Sequence, residues 1–320
     1  PISTDGAAPI LGQAIRQRIE TLLPKALSGW ADLARRIRSR VGETLQPGSQ
    51  RRVFWELFVD SVFASPAGPE EGAEDALAGL AGKVALQPVQ GSVTLVGAGP
   101  GDPELLTLKA MRALQSADVI LFDDLVSQDL LEMARREAKR MLVGKRGGRE
   151  SCRQEDINAM MLTYARAGKR VVRLKAGDPS VFGRAGEEIA HLERAGIPVS
   201  VIPGITAASA LAAGANISLT HRDCAQSVRF VTGHSRKGTL PDSLDWRAIA
   251  DPTASTVFYM GGRTAYGIMT HLLAAGMPAE TPVVVAANVS RKDERRWFGA
   301  LGALPQGVEK IGYTDPVLIA

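Results

Sequence analysis

Val93-Thr94-Leu95-Val96-Gly97-Ala98-Gly99-Pro100-Gly101-Asp102-Pro103 is the stretch that decides how this chain folds. A short apolar run enters a glycine-rich turn, and a helix-like segment follows from Glu104 to Gln115. Strand, glycine turn and helix in that order make a nucleotide-type loop, because glycines let backbone approach a ligand closely. A dinucleotide fingerprint asks for G-x-G-x-x-G/A, with the pyrophosphate resting on the helix N-terminus. Here the last position is Asp102, followed by Pro103. A carboxylate at that point repels a diphosphate. The loop therefore fits a nucleoside ligand without phosphates, of which S-adenosylmethionine, a sulfonium cation, is one.

Around this stretch the pattern alternates. Apolar, β-branched runs recur at 92–96, 119–122, 140–143, 170–174 and 199–202, with helix-like segments between them. That alternation predicts an α/β fold with a mainly parallel sheet and helices on both faces. A second block follows, with strands expected at 227–232, 255–259, 282–287 and 316–319, and a helix over 263–275 ended by Gly276. Residues 1–65 read as helical: Ile10, Ile15, Ile19 and Leu22, then Leu27, Trp30, Leu33, Ile37 and Val41, then 53–63, sit near helical spacing. Their arginines (Arg16, Arg18, Arg35, Arg36, Arg38 and Arg40) read as a solvated face, with a partner-binding surface as the other reading. Residues 66–90 have linker composition, with an Ala/Leu patch over 76–80 that suits a short helix. The expected plan is a helical region 1–65, a linker 66–90, and two α/β domains, 91–215 and 216–320.

Composition narrows the class. The 320 residues are 45% apolar and 22% charged, and 33 glycines with 18 prolines imply many tight turns. The net charge of +4 fits an anionic ligand as well as it fits none, and no dense Lys/Arg block with interleaved aromatics points to nucleic acid. Cys152 and Cys224 show neither metal spacing nor a disulfide framework, so a reducing compartment, the cytoplasm, is expected. No apolar run reaches membrane-spanning length and no signal peptide is visible, so no membrane partner is expected. The start at Pro1 reads as a piece of a longer polypeptide.

In an open α/β sheet, ligands gather at the carboxyl ends of the strands. The second strand ends at Asp123-Asp124, which reads as a general base facing a cleft. The rival reading, the acid that holds an NAD ribose, is set aside because Asp102 spoils the pyrophosphate seat. The third leads into Gly144-Lys145-Arg146-Gly147-Gly148-Arg149, either a cationic loop for substrate carboxylates or a solvated basic turn. The fourth ends in a second Gly-Asp-Pro turn, Lys175-Ala176-Gly177-Asp178-Pro179, and runs on to Arg184. After the fifth, Pro203-Gly204-Ile205-Thr206-Ala207-Ala208-Ser209 suits a flat ligand such as adenine or close helix–strand packing. His221 and His234 each stand as a site residue or as an ordinary hydrogen-bonding histidine, and Met260 as an adenosine neighbour or as core.

Taken in order, six segments resemble those of the uroporphyrinogen-III C-methyltransferases, of the tetrapyrrole methylase class. They are 96–103, 143–146, 170–179, 201–208, Leu219-Thr220-His221-Arg222-Asp223 and Phe258-Tyr259-Met260-Gly261, and the likeness runs from about residue 91 to the end. Residues 1–65 resemble the tail of a precorrin-2 dehydrogenase module with its helical dimerisation region, as in bifunctional siroheme synthases without their front portion. The resemblance implies a two-domain tetrapyrrole methylase architecture with an N-terminal helical dimerisation segment, and a homodimer. It implies methyl transfer from S-adenosylmethionine to C2 and C7 of uroporphyrinogen III, through a mono-methylated intermediate, in siroheme and cobalamin biosynthesis. S-adenosylhomocysteine is the implied by-product. By matched position Asp123 is the proton acceptor and Lys145 the proton donor. Pro100, Ala176, Gly177, Asp178, Val181, Thr206, Ala207, Met260 and Val289 line the implied cofactor site, and Arg146, Arg149, Arg184 and Arg222 anchor a polycarboxylate substrate. Ala176 stands where the family often has glycine, and Asp124 where it often has arginine. The dehydrogenase's dinucleotide loop is absent, so neither NAD-dependent oxidation nor iron insertion is carried over. Three rivals stand beside this reading: a methylase of a later corrin precursor, a flavin or NAD oxidoreductase, and a non-catalytic dimerisation scaffold.

Overall fold

Val93, Leu95 and Val96 have no exposed surface, and the strand they form, β1 (Ser92–Gly97), is covered on both faces. A strand buried on both sides reads as a continuous apolar run, which is the signature of a parallel sheet between helices. The computed structural model describes residues 8–23, 25–65, 67–86, 90–144, 152–235 and 238–320. It divides into two units, Pro1–Gln90 and Gly91–Ala320.

The first unit is helical: α1 (Pro9–Glu20), α2 (Leu27–Thr44), α3 (Ser49–Ala64) and α4 (Ala73–Leu86). Trp30, Leu33, Ile37 and Val41 of α2 pack on Phe54, Phe58 and Val62 of α3 and on Leu77, Ala81 and Val84 of α4. These recur every three or four residues, so each helix turns one stripe inward. Arg51 donates to the carbonyls of Leu45 and Gly42, which the end of α2 leaves without helical partners. The stretch expected as a linker thus contains α4, a full member of this core. Its Glu74 and Asp75, the end of the Pro/Gly/acid run that has linker composition, occupy the first turn, where a helix dipole favours acids.

The second unit opens with a five-stranded sheet of β1, β2 (Val119–Phe122), β3 (Lys139–Leu142), β4 (Arg170–Lys175) and β5 (Val199–Ile202). Its order is β3-β2-β4-β1-β5 and all its pairings are parallel. One face packs on α5 (Leu108–Ser116) and α6 (Gln128–Glu132), the other on α7 (Gln154–Arg166) and α8 (Ala185–Arg194). The helix expected from Glu104 begins later. A 3-10 turn spans Pro103–Leu105, and α5 starts at Leu108, where Thr107 Oγ1 caps the Ala110 N–H at 3.1 Å.

After α9 (Ala207–Gly214) comes the second sheet, built from β6 (Ser227–Thr232), β7 (Ala254–Tyr259), β8 (Pro282–Ala287), β9 (Arg295–Ala300) and β10 (Val317–Ile319). Its order is β6-β7-β10-β8-β9, with β6 and β7 parallel and the other pairs antiparallel. Helices α10 (Trp246–Ile249), α11 (Ala265–Ala274) and α12 (Leu304–Ile311) accompany it, and α11 ends before Gly276 at φ +96°. The mainly parallel expectation therefore describes the first sheet alone. The edge strand β9 escaped the sequence reading because it opens on two arginines and leaves Phe298 60% exposed. Among the described residues no helix is long and apolar enough to cross a membrane.

Candidate active site

The glycines at the ends of β1, β4 and β5 first make room for one another. A Cβ on Gly97 would lie 2.4 Å from the Gly204 nitrogen and 2.7 Å from the Gly177 carbonyl. Gly99 and Gly177, both at positive φ, exchange hydrogen bonds of 3.1 and 2.7 Å. Asp178 closes the arrangement, accepting from Ser180 N at 2.7 Å and from Gly204 N at 2.9 Å. Three turns that are distant in sequence thus form one floor, carrying Pro100, Ala176, Gly177, Asp178 and Thr206. Space is open beside Gly177, where a Cβ would meet nothing nearer than Thr206 Cα at 4.0 Å. Asp102 is engaged locally: its carboxylate accepts from Glu104 N at 2.9 Å, and its own N–H donates to Ser290 Oγ at 3.1 Å. With α5 beginning only at Leu108, this turn offers a pyrophosphate no helix N-terminus.

The second sheet reaches this floor through Tyr259. Its hydroxyl shares a 2.5 Å hydrogen bond with Thr206 Oγ1 and accepts from Ala208 N at 3.2 Å. Burial pushes the Tyr259 hydroxyl above its ordinary pKa, so it stays protonated at neutral pH. The Phe182 and Phe230 rings pack on Tyr259 at 5.0 and 5.6 Å. Of six described non-glycine residues with left-handed backbone, five (Phe182, Arg184, Met260, Asn288 and Ser290) lie on the loops after β4, β7 and β8. Such conformations persist where the surroundings over-determine them, and they cluster at functional sites. Met260 is 48% exposed beside Tyr259, whereas the Val289 side chain is buried in a core with Ala208 and Leu211. Tyr259→Phe strips the Ala208 N–H of its acceptor. It is expected to cost about 1–2 kcal/mol, measurable as a lower urea midpoint of the full chain.

A cleft of about 490 Å³ opens beside the floor, and its lining includes Asp123, Asp124, Gly144, Lys175, Ala176, Val181, Phe182 and Arg184. Asp123 is partly exposed, at 30% of its side chain, and accepts a 2.5 Å hydrogen bond from Arg173 Nη2. Behind it lies a cluster that sequence reasoning missed. Arg173 Nε and Lys175 Nζ both donate to Glu188 Oε1, at 3.2 and 3.1 Å. Burial and the Arg173 charge hold the Lys175 ammonium below its ordinary pKa. A signal was available: Arg173 and Lys175, two apart on an apolar strand, share one face of a buried sheet and require a buried anion.

Of the expected site residues, the structure brings Asp123, Ala176, Val181 and Arg184 to the cleft. Arg184 forms a two-pronged pair with Glu187, at 2.8 and 2.5 Å. Arg222 sits on an exposed turn closed by His221 and Ala225 and is not among the residues that line the cleft itself. His221 accepts from Asp223 N at 3.2 Å and His234 bonds through its backbone to Thr232 Oγ1, both local turn contacts. Lys145, Arg146 and Arg149 lie outside the described residues. A second cavity of about 480 Å³ by the other sheet is lined mainly by apolar side chains. Among the described residues no group of three or more His, Cys, Asp or Glu could hold a metal ion.

The second unit thus sets a parallel sheet and a mixed sheet side by side in sequence, with a glycine floor and an acid-lined cleft at the strand ends of the first. Residues 92–305 match the model of the tetrapyrrole (corrin/porphyrin) methylases, and the chain belongs to that family, which makes it a methyltransferase. Residues 26–80 match the sirohaem synthase dimerisation region. The chain is 46% identical to the siroheme synthase of Ectopseudomonas mendocina, over 99% of its own length and 69% of that protein. It is also 46% identical to the siroheme synthase of Nitrosococcus oceani, over 99% and 68%. Among solved structures it resembles the uroporphyrin-III C-methyl transferase of Thermus thermophilus complexed with S-adenyl homocysteine. That match has a TM-score of 0.61 and 40% identity, over 71% of this chain and 96% of the other. A cobalt precorrin-4 methyltransferase matches with a TM-score of 0.65 and 30% identity, over 73% and 96%.

Proposed function

We propose that this chain uses S-adenosylmethionine to methylate uroporphyrinogen III at C2 and then C7, giving precorrin-2 for siroheme and cobalamin synthesis. The observation that carries the reading is the Asp123 carboxylate, held by Arg173 in a cleft beside the glycine floor, whose first turn carries the Asp102 carboxylate. The bound cofactor supplies an electrophilic methyl group. Pro100, Ala176, Gly177, Asp178, Val181, Thr206, Ala207 and Met260 hold it, with Val289 contributing through the loop after β8. After the pyrrole carbon takes the methyl, a proton must leave. Asp123 accepts it, since an aligned carboxylate within hydrogen-bond reach is an effective base. Lys145 is assigned as proton donor, and Arg146, Arg149, Arg184 and Arg222 as anchors for substrate carboxylates. Much of the rate comes from holding donor and acceptor in line. The match of residues 26–80 to a dimerisation region supports a homodimer formed through the first unit, and cysteine usage supports the cytoplasm.

Calorimetric titration tests the cofactor. S-adenosylhomocysteine is expected to bind with Kd of about 1 μM or tighter, and NAD, NADP and FAD not to bind. A dinucleotide that competes with S-adenosylhomocysteine would overturn the reading. Labelled methyl groups appearing on uroporphyrinogen III test the substrate, and a preference for a later corrin precursor would redirect it.

A further inference from the structure

Three charged side chains are buried among the described residues, and all three meet: Arg173, Lys175 and Glu188. Burying a charge is costly, and an ion pair often stabilises less than apolar residues of the same volume. Concentrating the buried charges of the described residues behind one cleft acid therefore calls for a reason beyond packing.

We propose that Glu188 is a positioning residue for the methyl transfer, acting through Arg173 to aim the Asp123 carboxylate. The inference rests on the reading above that Asp123 accepts the proton. Arg173 leaves the central strand β4 with its guanidinium tied on every side. Its Nε donates to Glu188 Oε1 at 3.2 Å, and its Nη1 to the carbonyls of Leu121 and Leu174 at 3.4 and 3.3 Å. Its Nη2 donates to Asp123 Oδ1 at 2.5 Å. A planar fork fixed at Nε and Nη1 presents Nη2 in one direction, so the acid it holds has one orientation.

Glu188 is itself immobilised. Lys175 Nζ donates to both of its oxygens, at 3.1 and 3.2 Å, and Gln154 Nε2 to Oε1 at 3.1 Å. It is fully buried in the first turn of α8. Together Asp123, Arg173, Lys175 and Glu188 balance two negative charges against two positive ones. Without Glu188, both cations act on Asp123 alone, which draws its carboxylate inward and out of its orientation toward the cleft.

The experiment is a double-mutant cycle on the full chain, with turnover read by incorporation of labelled methyl. Glu188→Gln keeps the shape and removes the charge. It is expected to lower kcat about tenfold or more, with KM and S-adenosylhomocysteine affinity changed less than about threefold. In an Asp123→Asn background the same substitution is expected to cost less than about twofold further, because the two act as one unit. Unchanged kcat in Glu188→Gln, or equal losses in both backgrounds, would overturn the proposal. If Glu188→Gln fails to bind S-adenosylhomocysteine, Arg173→Lys replaces it, keeping the charge and losing the fork. A kcat loss that vanishes beside Asp123→Asn then supports the proposal, and additive losses overturn it. Wild-type turnover in Asp123→Asn alone has a separate meaning: it sinks the assignment of Asp123, and the positioning role with it.

Discussion

Asp123→Asn is expected to lower methyl-transfer turnover by about 10²–10⁴-fold while S-adenosylhomocysteine still binds. Asparagine fills the same volume and still offers an oxygen to Arg173 Nη2, so the 2.5 Å contact has a substitute and the cleft keeps its shape. What disappears is the ability to take a proton. Cofactor affinity should hold, because the floor of Gly97, Gly99, Gly177 and Gly204 is built from backbone and from Asp178, none of which depends on Asp123. Calorimetry for binding and labelled methyl incorporation for turnover separate the two effects. Turnover within about threefold of the unaltered chain would remove Asp123 as the acceptor and return the cleft to a purely binding role.

Gly97→Ala is expected to cost about 3 kcal/mol or more, at or beyond the usual range for overpacking. The added Cβ would lie 2.4 Å from the nitrogen and 2.6 Å from the Cα of Gly204, and 2.7 Å from the Gly177 carbonyl. All three are backbone atoms of turns that end strands in a hydrogen-bonded sheet, so no flexible side chain can yield. Separating β1 from those turns would break the floor, and S-adenosylhomocysteine affinity should fall with stability. Gly186→Ala in α8 is the control. A Cβ there meets nothing within 4 Å, and alanine favours a helix by about 0.5–1 kcal/mol. Urea denaturation of both variants checks the pair, and equal midpoints would contradict the packing argument.

Both predictions show where sequence suffices. The strand at 92–97, its glycine turn and the acid pair after β2 are local features, and local spacing revealed them. The alternation of elements disclosed the first sheet, since parallel strands buried on both faces leave apolar runs. The linker reading of 66–90 was too wide: the short helix expected over 76–80 extends over Ala73–Leu86, because its acids sit in the first turn and Leu77, Ala81 and Val84 are buried. The strand β9 failed for a related reason, because an edge strand buries one face at most and its arginines mask the alternation.

The family and the α/β class were legible in the chain alone, because both depend on motifs and alternations of residues close together in sequence. Only the tertiary structure decided the second sheet's order, where β10 inserts between β7 and β8, and the meeting of Arg173 and Lys175 with Glu188. Those contacts exist because α8 packs back onto the sheet, and a helix seats its acid against a strand's cations only once the core between them has formed. Local pattern can demand a buried anion for Arg173; long-range packing chooses which one answers.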